Sequence, residues 1–249
     1  HSPIGVRITP PGKDARSPNV EAVGAHGKGW FEVQDEGSQL VSLLAAVEPG
    51  MQVCDFCAGA GGKTLALAAA MANKGQVYSY DNDHHRLRPV FERLRRAGAR
   101  NVQVLDTEPS ALEALKKRMD VVFIDAPCSG TGAWRRRPDA KWRLTGKQLQ
   151  TRIKQQREVL AMASSLVKPG GRLVYVTCSL LVEENERQID WFLQQSDDYT
   201  LTPMHEVVAQ TSAFDGLAPL VKGQKYLKLS PATSGTDGFF GAVLHRSAN

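Results

Sequence analysis

Short apolar runs alternate with amphipathic segments along most of this chain. From residue 53 onward, β-branched and aromatic runs that predict strands are followed by segments with the apolar spacing of helices. The predicted strands cover residues 53–57, 76–80, 101–105, 120–124, 172–177 and 238–245. The predicted helices cover residues 35–47, 63–71, 84–97, 110–117, 146–167 and 183–195. This alternation predicts a parallel sheet covered on both faces, with an antiparallel strand at its end.

The segment 84–97 has the clearest helical pattern. Leu87, Phe91 and Leu94 fall on one predicted face, and Gly98 ends the helix. We therefore expect these three side chains to be buried.

Residues 1–30 differ from the rest of the chain because they are rich in Gly, Pro and Ser and lack periodicity. We interpret them as a lead-in or linker, and residues 31–249 as the folded domain. The first residue is His1 rather than Met, so we expect the lead-in to continue from a longer chain.

The composition is that of a globular protein. Of 249 residues, 42% are hydrophobic and 23% are charged, which is enough to bury a core. No apolar run approaches the roughly 18 residues of a membrane span, and no signal peptide is recognisable, so we expect no membrane partner. The net charge of +5 favours a polyanionic partner, although only weakly. Four cysteines are too few for a disulfide scaffold and indicate a reducing, cytoplasmic location.

Two of the cysteines, Cys54 and Cys57, have the C-x-x-C spacing of some zinc sites. There is no second pair, and residues three apart in a strand point to opposite faces. We therefore expect no metal.

A glycine-rich loop, Cys-Ala-Gly-Ala-Gly-Gly-Lys-Thr at 57–64, joins the first strand to its helix. Such glycines let backbone amides approach a ligand, and the helix N-terminus favours negative charge. A P-loop is excluded because it needs Gly at the position of Cys57. A dinucleotide fingerprint beginning at Gly59 would end on Thr64 instead of Gly or Ala. S-adenosylmethionine, which has no phosphates, is a third candidate, and a simple connector remains the alternative.

Carboxylates follow three successive predicted strands. Asp81 is placed to accept hydrogen bonds from ribose hydroxyls, Asp106 to receive an adenine amino group, and Asp125 ends the next strand. A single aspartate of this kind is more often a turn or cap residue. Three at one edge of the sheet favour a nucleoside-type ligand.

Two isolated thiols lie just past strand ends. Cys128 follows Asp125-Ala126-Pro127, and Cys178 follows the fifth strand. A lone cysteine is usually an inert buried residue, but a thiolate with a lowered pKa is a nucleophile.

The loop 133–143 interleaves basic residues with Trp134 and Trp142. This pattern suits phosphates and base stacking, and a solvated basic helix face is the alternative.

Together these motifs resemble the RNA (cytosine-5) methyltransferase family, and more closely its bacterial small-subunit ribosomal RNA members. The resemblance runs from about Trp30 to the C-terminus. It depends on the glycine loop and on three further motifs. The first is Asp-Ala-Pro-Cys-Ser-Gly-Thr-Gly at 125–132, followed by Arg137-Pro138 and Lys141-Trp142. The others are Thr-Cys-Ser at 177–179 with Glu-Glu-Asn-Glu at 183–186, and Asp-Gly-Phe-Phe at 237–240. One departure is Gly59-Ala60, where the family commonly has Ala-Pro. The loop loses a rigid proline but no reactive group.

The resemblance implies a Rossmann-like class I methyltransferase fold, with a mostly parallel seven-stranded sheet whose last strand is antiparallel. It implies S-adenosyl-L-methionine as cofactor, bound by Cys57, Ala58, Gly59, Ala60, Gly61, Gly62, Lys63, Asp81, Asp106 and Asp125. In the family the cysteine at the position of Cys178 attacks C6 of the target cytosine, the one at Cys128 assists product release, and the aspartate at Asp125 contacts the base.

The resemblance further implies a cytoplasmic enzyme, here expected to be a monomer, that modifies RNA, with ribosomal RNA as the expected substrate. Residues 31–249 would be its catalytic domain, and an RNA-binding region before them would be missing from this chain. Transfer RNA as substrate and a non-catalytic RNA-binding module on the same fold remain alternatives. A methyltransferase for a small molecule or a protein is disfavoured by the basic, Trp-containing loop.

Overall fold

The structure, a computed structural model, describes residues 1–8, 18–209 and 216–248 and contains one sheet with helices on both faces. The helices are α1 (Gly24–Gly27), α2 (Glu36–Leu43), α3 (Gly62–Ala70), α4 (His84–Ala97), α5 (Ala140–Arg143), α6 (Gly146–Ser164), α7 (Glu186–Gln195), α8 (Met204–Ala209) and α9 (Ala218–Val221). The strands are β1 (Gln52–Phe56), β2 (Gln76–Tyr80), β3 (Val102–Val104), β4 (Met119–Asp125), β5 (Val167–Thr177), β6 (Tyr199–Thr202), β7 (Leu227–Leu229) and β8 (Phe239–Arg246). Short 3-10 helices cover Val20–Ala22, Pro109–Leu115, Thr131–Ala133 and Val182–Glu184. None of the helices in the described ranges combines the length and the apolar character that crossing a membrane requires.

The sheet has the order β3-β2-β1-β4-β5-β8-β6, with β7 paired to β8 beside β6. Strands β1 to β5 are parallel, and β8 runs antiparallel to β5. The predicted α/β class with a mostly parallel sheet and an antiparallel end is therefore confirmed. The described residues form eight strands instead of the predicted seven. The additional pairing comes from β6 and β7, whose four and three residues are too short to show a period-two pattern.

Strand β4 shows how the apolar runs build the interior. Val121 and Phe123 belong to a core formed with α2 and α3, whereas Val122 and Ile124 belong to a second core formed with α6 and α7. Successive side chains of a strand point to opposite faces, so a strand between two helix layers must be apolar throughout. The unbroken apolar run before Asp125 has this cause.

The buried face of helix α4 differs from the predicted one at one residue. Leu87, Val90 and Leu94 are its buried residues, and Phe91 is 59% exposed. The spacing of Phe91 and Val90 from Leu87 fits a helical face equally well. In the fold Val90 is the residue that packs against the turn at Gly61, where an added Cβ would lie 3.0 Å from a Val90 methyl group.

The strand register brings the chemistry-bearing residues to one edge. Phe56 is paired with both Tyr80 and Ile124, and Asp125 is paired with Val176. The residues that follow β1, β2 and β5 therefore emerge side by side with Asp125. The strand order reverses between β1 and β4, which is where ligands bind in open α/β sheets.

Two loops at this edge touch through glycines. The amide of Gly238 donates to the carbonyl of Gly132 (2.9 Å), and the amide of Gly132 donates to the carbonyl of Cys178 (2.9 Å). A Cβ added at Gly132 would lie 2.1 Å from the carbonyl oxygen of Gly238. The contact ties the loop after β4 to β5 and to the start of β8, and it has no space for a side chain.

We expect Gly132→Ala to lower the free energy of unfolding by about 1–3 kcal/mol, because backbone atoms must move to admit the methyl group. Gly146→Ala is the control, since nothing lies within 4 Å of that position at the start of α6, and alanine there favours the helix. Thermal and urea unfolding of both variants measures the difference. Equal stability of the two variants would contradict the steric account.

Candidate active site

The edge of the sheet opens into a cavity of about 410 Å³. Its walls come from the loop after β1, the segment before α2, helix α4, the loop after β4 and the ends of β4, β5 and β8. The lining residues are Val33, Gln34, Asp35, Ser38, Cys57, Ala58, Gly59, Ala60, Gly62, Lys63, Arg86, Arg93, Asp125, Ala133, Arg136, Arg137, Cys178, Asp237 and Phe239. Segments far apart in sequence thus share one site.

The glycine loop turns sharply over the end of β2. Cys57, Gly59 and Gly61 all have positive φ values, of 73°, 52° and 80°. The amides of Cys57 and Ala58 both donate to the carbonyl of Tyr80, at 2.8 and 2.9 Å. Positive φ favours glycine, and for Cys57 it is a strained conformation of a kind that clusters at functional sites.

Hydrogen bonds from two buried hydroxyls connect the start of α3 to the sheet. The hydroxyl of Thr64 donates to Asp55 Oδ2 (2.6 Å), and that of Ser79 donates to Thr64 Oγ1 (3.1 Å). Burial raises the pKa of Asp55 to about 7, although the Thr64 hydrogen bond opposes the shift. Its second carboxylate oxygen has no partner among the described residues. This chain of hydrogen bonds sets the position of the helix N-terminus at the cavity.

Lys63 carries positive charge into the cavity. Its Nζ lies 2.7 Å from Asp125 Oδ2 and 5.7 Å from the centroid of the Phe239 ring. Burial opposes its charge, but the attraction of Asp125 outweighs burial and raises the pKa of Lys63. Asp125 is the more exposed partner, at 32% against 12%, so its carboxylate faces the open part of the site.

The two thiols beyond β4 and β5 are in contact. Cys128 Sγ lies 3.3 Å from Cys178 Sγ, and of the two only Cys178 lines the cavity. The hydrogen bond from Cys128 lowers the pKa of Cys178 against the effect of burial. The same contact, together with burial, raises the pKa of Cys128 well above its ordinary range. Of the two thiols, Cys178 therefore loses its proton more readily.

Most of the predicted site residues come together here, but four do not line the cavity. Gly61 and Cys128 lie behind its wall. Asp81 is buried beside the loop, where Oδ2 accepts from the Gly59 amide (3.0 Å) and faces Arg86 at 3.4 Å. Asp106 is exposed and accepts from the amide of Thr107 (2.7 Å). The cofactor roles assigned to Asp81 and Asp106 stay predictions.

Several lining residues were not predicted from the sequence. Asp35 was interpreted as part of a helix start, and it does cap α2, since its carboxylate accepts from the Gly37 amide (2.8 Å). Arg93 donates to the carbonyl of Ala60 (2.8 Å) and, with Arg96, pairs with Glu32. Arg86 and Arg93 lie seven residues apart on one face of α4, and this spacing was the available signal.

The basic loop is anchored by a buried carboxylate. Arg135 Nη2 and Arg136 Nε donate to Asp237, at 3.1 and 2.5 Å. Arg137 reaches the cavity without an ion pair to any other described residue. Trp142, at 83% exposure, projects into solvent with Lys141 Nζ 5.5 Å from its ring centroid. The loop thus has a fixed base and an exposed, cationic rim.

Comparison with known proteins identifies a family model and several relatives that match this chain. A family model described as 16S rRNA methyltransferase RsmB/F matches residues 41–245. Ribosomal RNA small subunit methyltransferase B of Salmonella arizonae is 36% identical over 226 residues, which cover 90% of this chain and 49% of that protein. The protein of the same name from Citrobacter koseri is 39% identical over 184 residues, covering 74% of this chain and 43% of that protein. The chain therefore spans less than half the length of these two relatives.

Among solved structures, NSun6 from Pyrococcus horikoshii with SFG superposes with a TM-score of 0.79. It is 29% identical, and the match covers 94% of this chain and 57% of that chain. The similarity therefore extends over nearly the whole chain described here.

The asymmetry of the thiol pair predicts the order of cysteine alkylation. At pH 7.5 we expect iodoacetamide to modify Cys178 first, and Cys128→Ala to slow this reaction about tenfold, because the donor that stabilises the thiolate is lost. Peptide mass spectrometry measures the rate at each cysteine. As the pH rises the difference between the variants should narrow, since both then increasingly carry the thiolate.

Cys128→Ser is the matched control, because a hydroxyl still donates to Cys178, and its rate should stay near that of the wild type. Equal rates for Cys128→Ala and the wild type at pH 7.5 would contradict the assigned hydrogen bond.

Proposed function

Because the chain belongs to the RsmB/F family of 16S rRNA methyltransferases, we propose that it transfers a methyl group from S-adenosyl-L-methionine to C5 of a cytosine in ribosomal RNA. The observation that carries this proposal is the contact of 3.3 Å between Cys128 and Cys178 beside the glycine loop. One cavity thus holds both a nucleophile and a backbone cradle for a cofactor.

The residues of the cavity fit S-adenosylmethionine. The left-handed glycine loop and the N-terminus of α3 offer backbone amides and positive charge to a carboxylate. A Cβ at Gly59 would meet only the Arg86 guanidinium, at 3.2 Å. The loop therefore borders open space on its cavity side, as close approach of a ligand to the backbone requires. In support, the similar NSun6 structure was solved with SFG, an analogue of S-adenosylmethionine. The cofactor supplies an electrophilic methyl group when bound.

Cysteine chemistry accounts for methylation at carbon. C5 of cytosine is a weak nucleophile, and addition of a thiolate at C6 makes it enamine-like and able to take the methyl group. Cys178 is the thiol that lines the cavity and has the lowered pKa, so we assign the attack on C6 to it. After methyl transfer the C5 proton must leave and the bond from Cys178 to C6 must break. Cys128, in contact with Cys178, is placed to assist that elimination.

Asp125 holds the base in this proposal. Its partly exposed carboxylate faces the cavity next to Cys178. A hydrogen bond between this group and N3 of the ring would stabilise the charge that develops during attack. A base stacked in a helix cannot enter such a site, so the target cytosine must be unpaired or flipped out.

Alanine substitutions at the two cysteines should block different steps of the reaction. We expect Cys178→Ala to lower methyl transfer by about 10³-fold or more, because no covalent adduct forms. Cys128→Ala should still attack but release product slowly, so that a protein–RNA adduct accumulates and survives a denaturing gel. Labelled S-adenosylmethionine with ribosomal RNA measures both. Methylation by Cys178→Ala at the wild-type rate would refute the assignment of the nucleophile.

The cationic rim supports RNA as the substrate. Arg137 reaches the cavity, and Lys141 and Trp142 lie on the exposed turn that follows it. Basic side chains beside an aromatic ring bind phosphates and stacked bases. Arg135 and Arg136 form ion pairs with Asp237, so they stabilise the position of the loop.

We expect Arg137→Ala to weaken RNA binding about five- to tenfold and to reduce the slope of log affinity against log salt by roughly 0.7–0.9, the value of one phosphate contact. Arg118→Ala is the control, because this exposed residue precedes β4 at the opposite edge of the sheet. Filter binding over a salt series measures both variants. An unchanged slope for Arg137→Ala would contradict a phosphate contact.

We further propose that residues 31–249 act as the catalytic domain of a cytoplasmic enzyme that works as a monomer. The support for these bounds is that the residues lining the cavity run from Val33 to Phe239.

A further inference from the structure

Glu184 is a carboxylate with no exposed surface behind the thiol pair. Oε1 accepts from the amide of Ser129 (2.8 Å) and from Gln156 Nε2 (3.1 Å). Oε2 accepts from the hydroxyl of Ser179 (2.5 Å) and from the hydroxyl of Ser129. A buried charge is tolerated only when donors surround it, and here four donors do so.

These donors belong to the segments that carry the two cysteines. Ser129 follows Cys128 and Ser179 follows Cys178, while Gln156 of α6 also donates to the carbonyl of Pro127 (2.9 Å). One carboxylate therefore connects the turn after β4, the turn after β5 and helix α6. The carboxylate thus links the two turns that carry the sulfur atoms.

Glu184 makes more contacts on the Cys128 side, since two of its four donors come from Ser129 and one comes from Ser179. Cys178 and Glu184 are the neighbouring groups that raise the pKa of Cys128. The charged groups that affect the pKa of Cys178 are Asp125, which raises it, and Lys63, which lowers it. The hydrogen bond to Cys178, burial and the charge of Glu184 all raise the pKa of Cys128. The hydroxyl of Tyr175 donates to the backbone carbonyl of Glu184 (2.7 Å). Burial raises the pKa of Tyr175 well above its ordinary value. Tyr175 therefore stays neutral.

We propose that Glu184 is a positioning residue that holds the two cysteine turns together and, through its negative charge on the side of Cys128, keeps the shared proton on Cys128 so that Cys178 is the attacking thiolate. The inference rests on the proposed function, because it explains which cysteine attacks. In its reactive form the pair holds one proton and one negative charge. The Cys178 sulfur supplies the electron pair of the new bond to C6, and Cys128 retains its proton.

The test compares where a small neutral reagent reacts. Wild type, Glu184→Gln and Glu183→Gln are treated briefly with iodoacetamide at pH 7.5, and peptide mass spectrometry gives the initial rates at Cys178 and Cys128. Glu184→Gln keeps the shape of the side chain and removes its charge, so we expect the ratio of Cys178 to Cys128 modification to fall about tenfold. Glu183 is the matched control, since it lies next to Glu184 but pairs with Arg187 (3.4 Å), and its variant should keep the wild-type ratio.

Two further variants distinguish charge from shape. Glu184→Asp keeps the charge and should restore most of the wild-type ratio, while its shorter side chain lowers kcat for methyl transfer without changing the KM for S-adenosylmethionine. If Glu184→Gln does not fold, Gln156→Lys places a compensating positive charge beside the carboxylate and should lower the ratio in the same way.

A wild-type ratio in folded Glu184→Gln, or in Gln156→Lys when that variant is used, overturns the inference. So does a ratio in Glu184→Asp as low as that in Glu184→Gln. The alkylation needs neither RNA nor cofactor. Absence of methyl transfer in the wild type, with the ratios as expected, would refute the proposed function alone.

Discussion

The parallel pairing of β1 with β2 and β4, and of β4 with β5, is the constraint from which the site follows. Because the four strands are in register, each ends at the same edge, and the next residue of each chain segment enters the same space. A shift by one residue would turn Asp125 from the cavity towards a core and reverse both faces of β4. The apolar residues that fill the two cores thus also fix where the polar residues emerge.

Three buried carboxylates convert this edge into a rigid site. Asp55 holds the start of α3 through Thr64, Glu184 joins the two cysteine turns, and Asp237 anchors Arg135 and Arg136. Each links two structural elements through hydroxyl, amide or guanidinium donors, and in Asp55 one of the two carboxylate oxygens accepts such a hydrogen bond. Burial of these charges is unfavourable by itself. The hydrogen bonds that offset it have strict geometry, so the loops at the cavity have little freedom to shift.

The sequence predicted the architecture well because the helices and strands near the site are long and periodic. Strand β2 and helix α4 have the predicted bounds, and the glycine loop, Asp125 and Cys178 meet as expected. Prediction was weaker where tertiary packing decides between equivalent patterns. Val90 replaces Phe91 on the buried face of α4, and β6 and β7 pair only because β8 offers them an edge. Glu184 belongs to a motif of the family resemblance, but its contacts with both cysteine turns were not predicted, because a glutamate in an Asn- and Glu-rich turn has the local pattern of a solvated surface.

The two cysteines of the pair have similar sequence settings, since each follows a strand and precedes a serine. Their different chemistry comes from the surroundings that folding assembles. The hydrogen bond from Cys128 is the main cause of the lowered pKa of Cys178, and Lys63, extending from α3, adds to it against the charge of Asp125. Glu184 disfavours charge on Cys128. The contact of 3.3 Å then amplifies this difference, because a thiol that keeps its proton can donate it to its neighbour. Two equal thiols would compete for one proton, and each would be a thiolate only part of the time. The hydrogen bond between the thiols and the charge of Glu184 together make Cys128 the donor of the pair and Cys178 the thiol that ionises more readily.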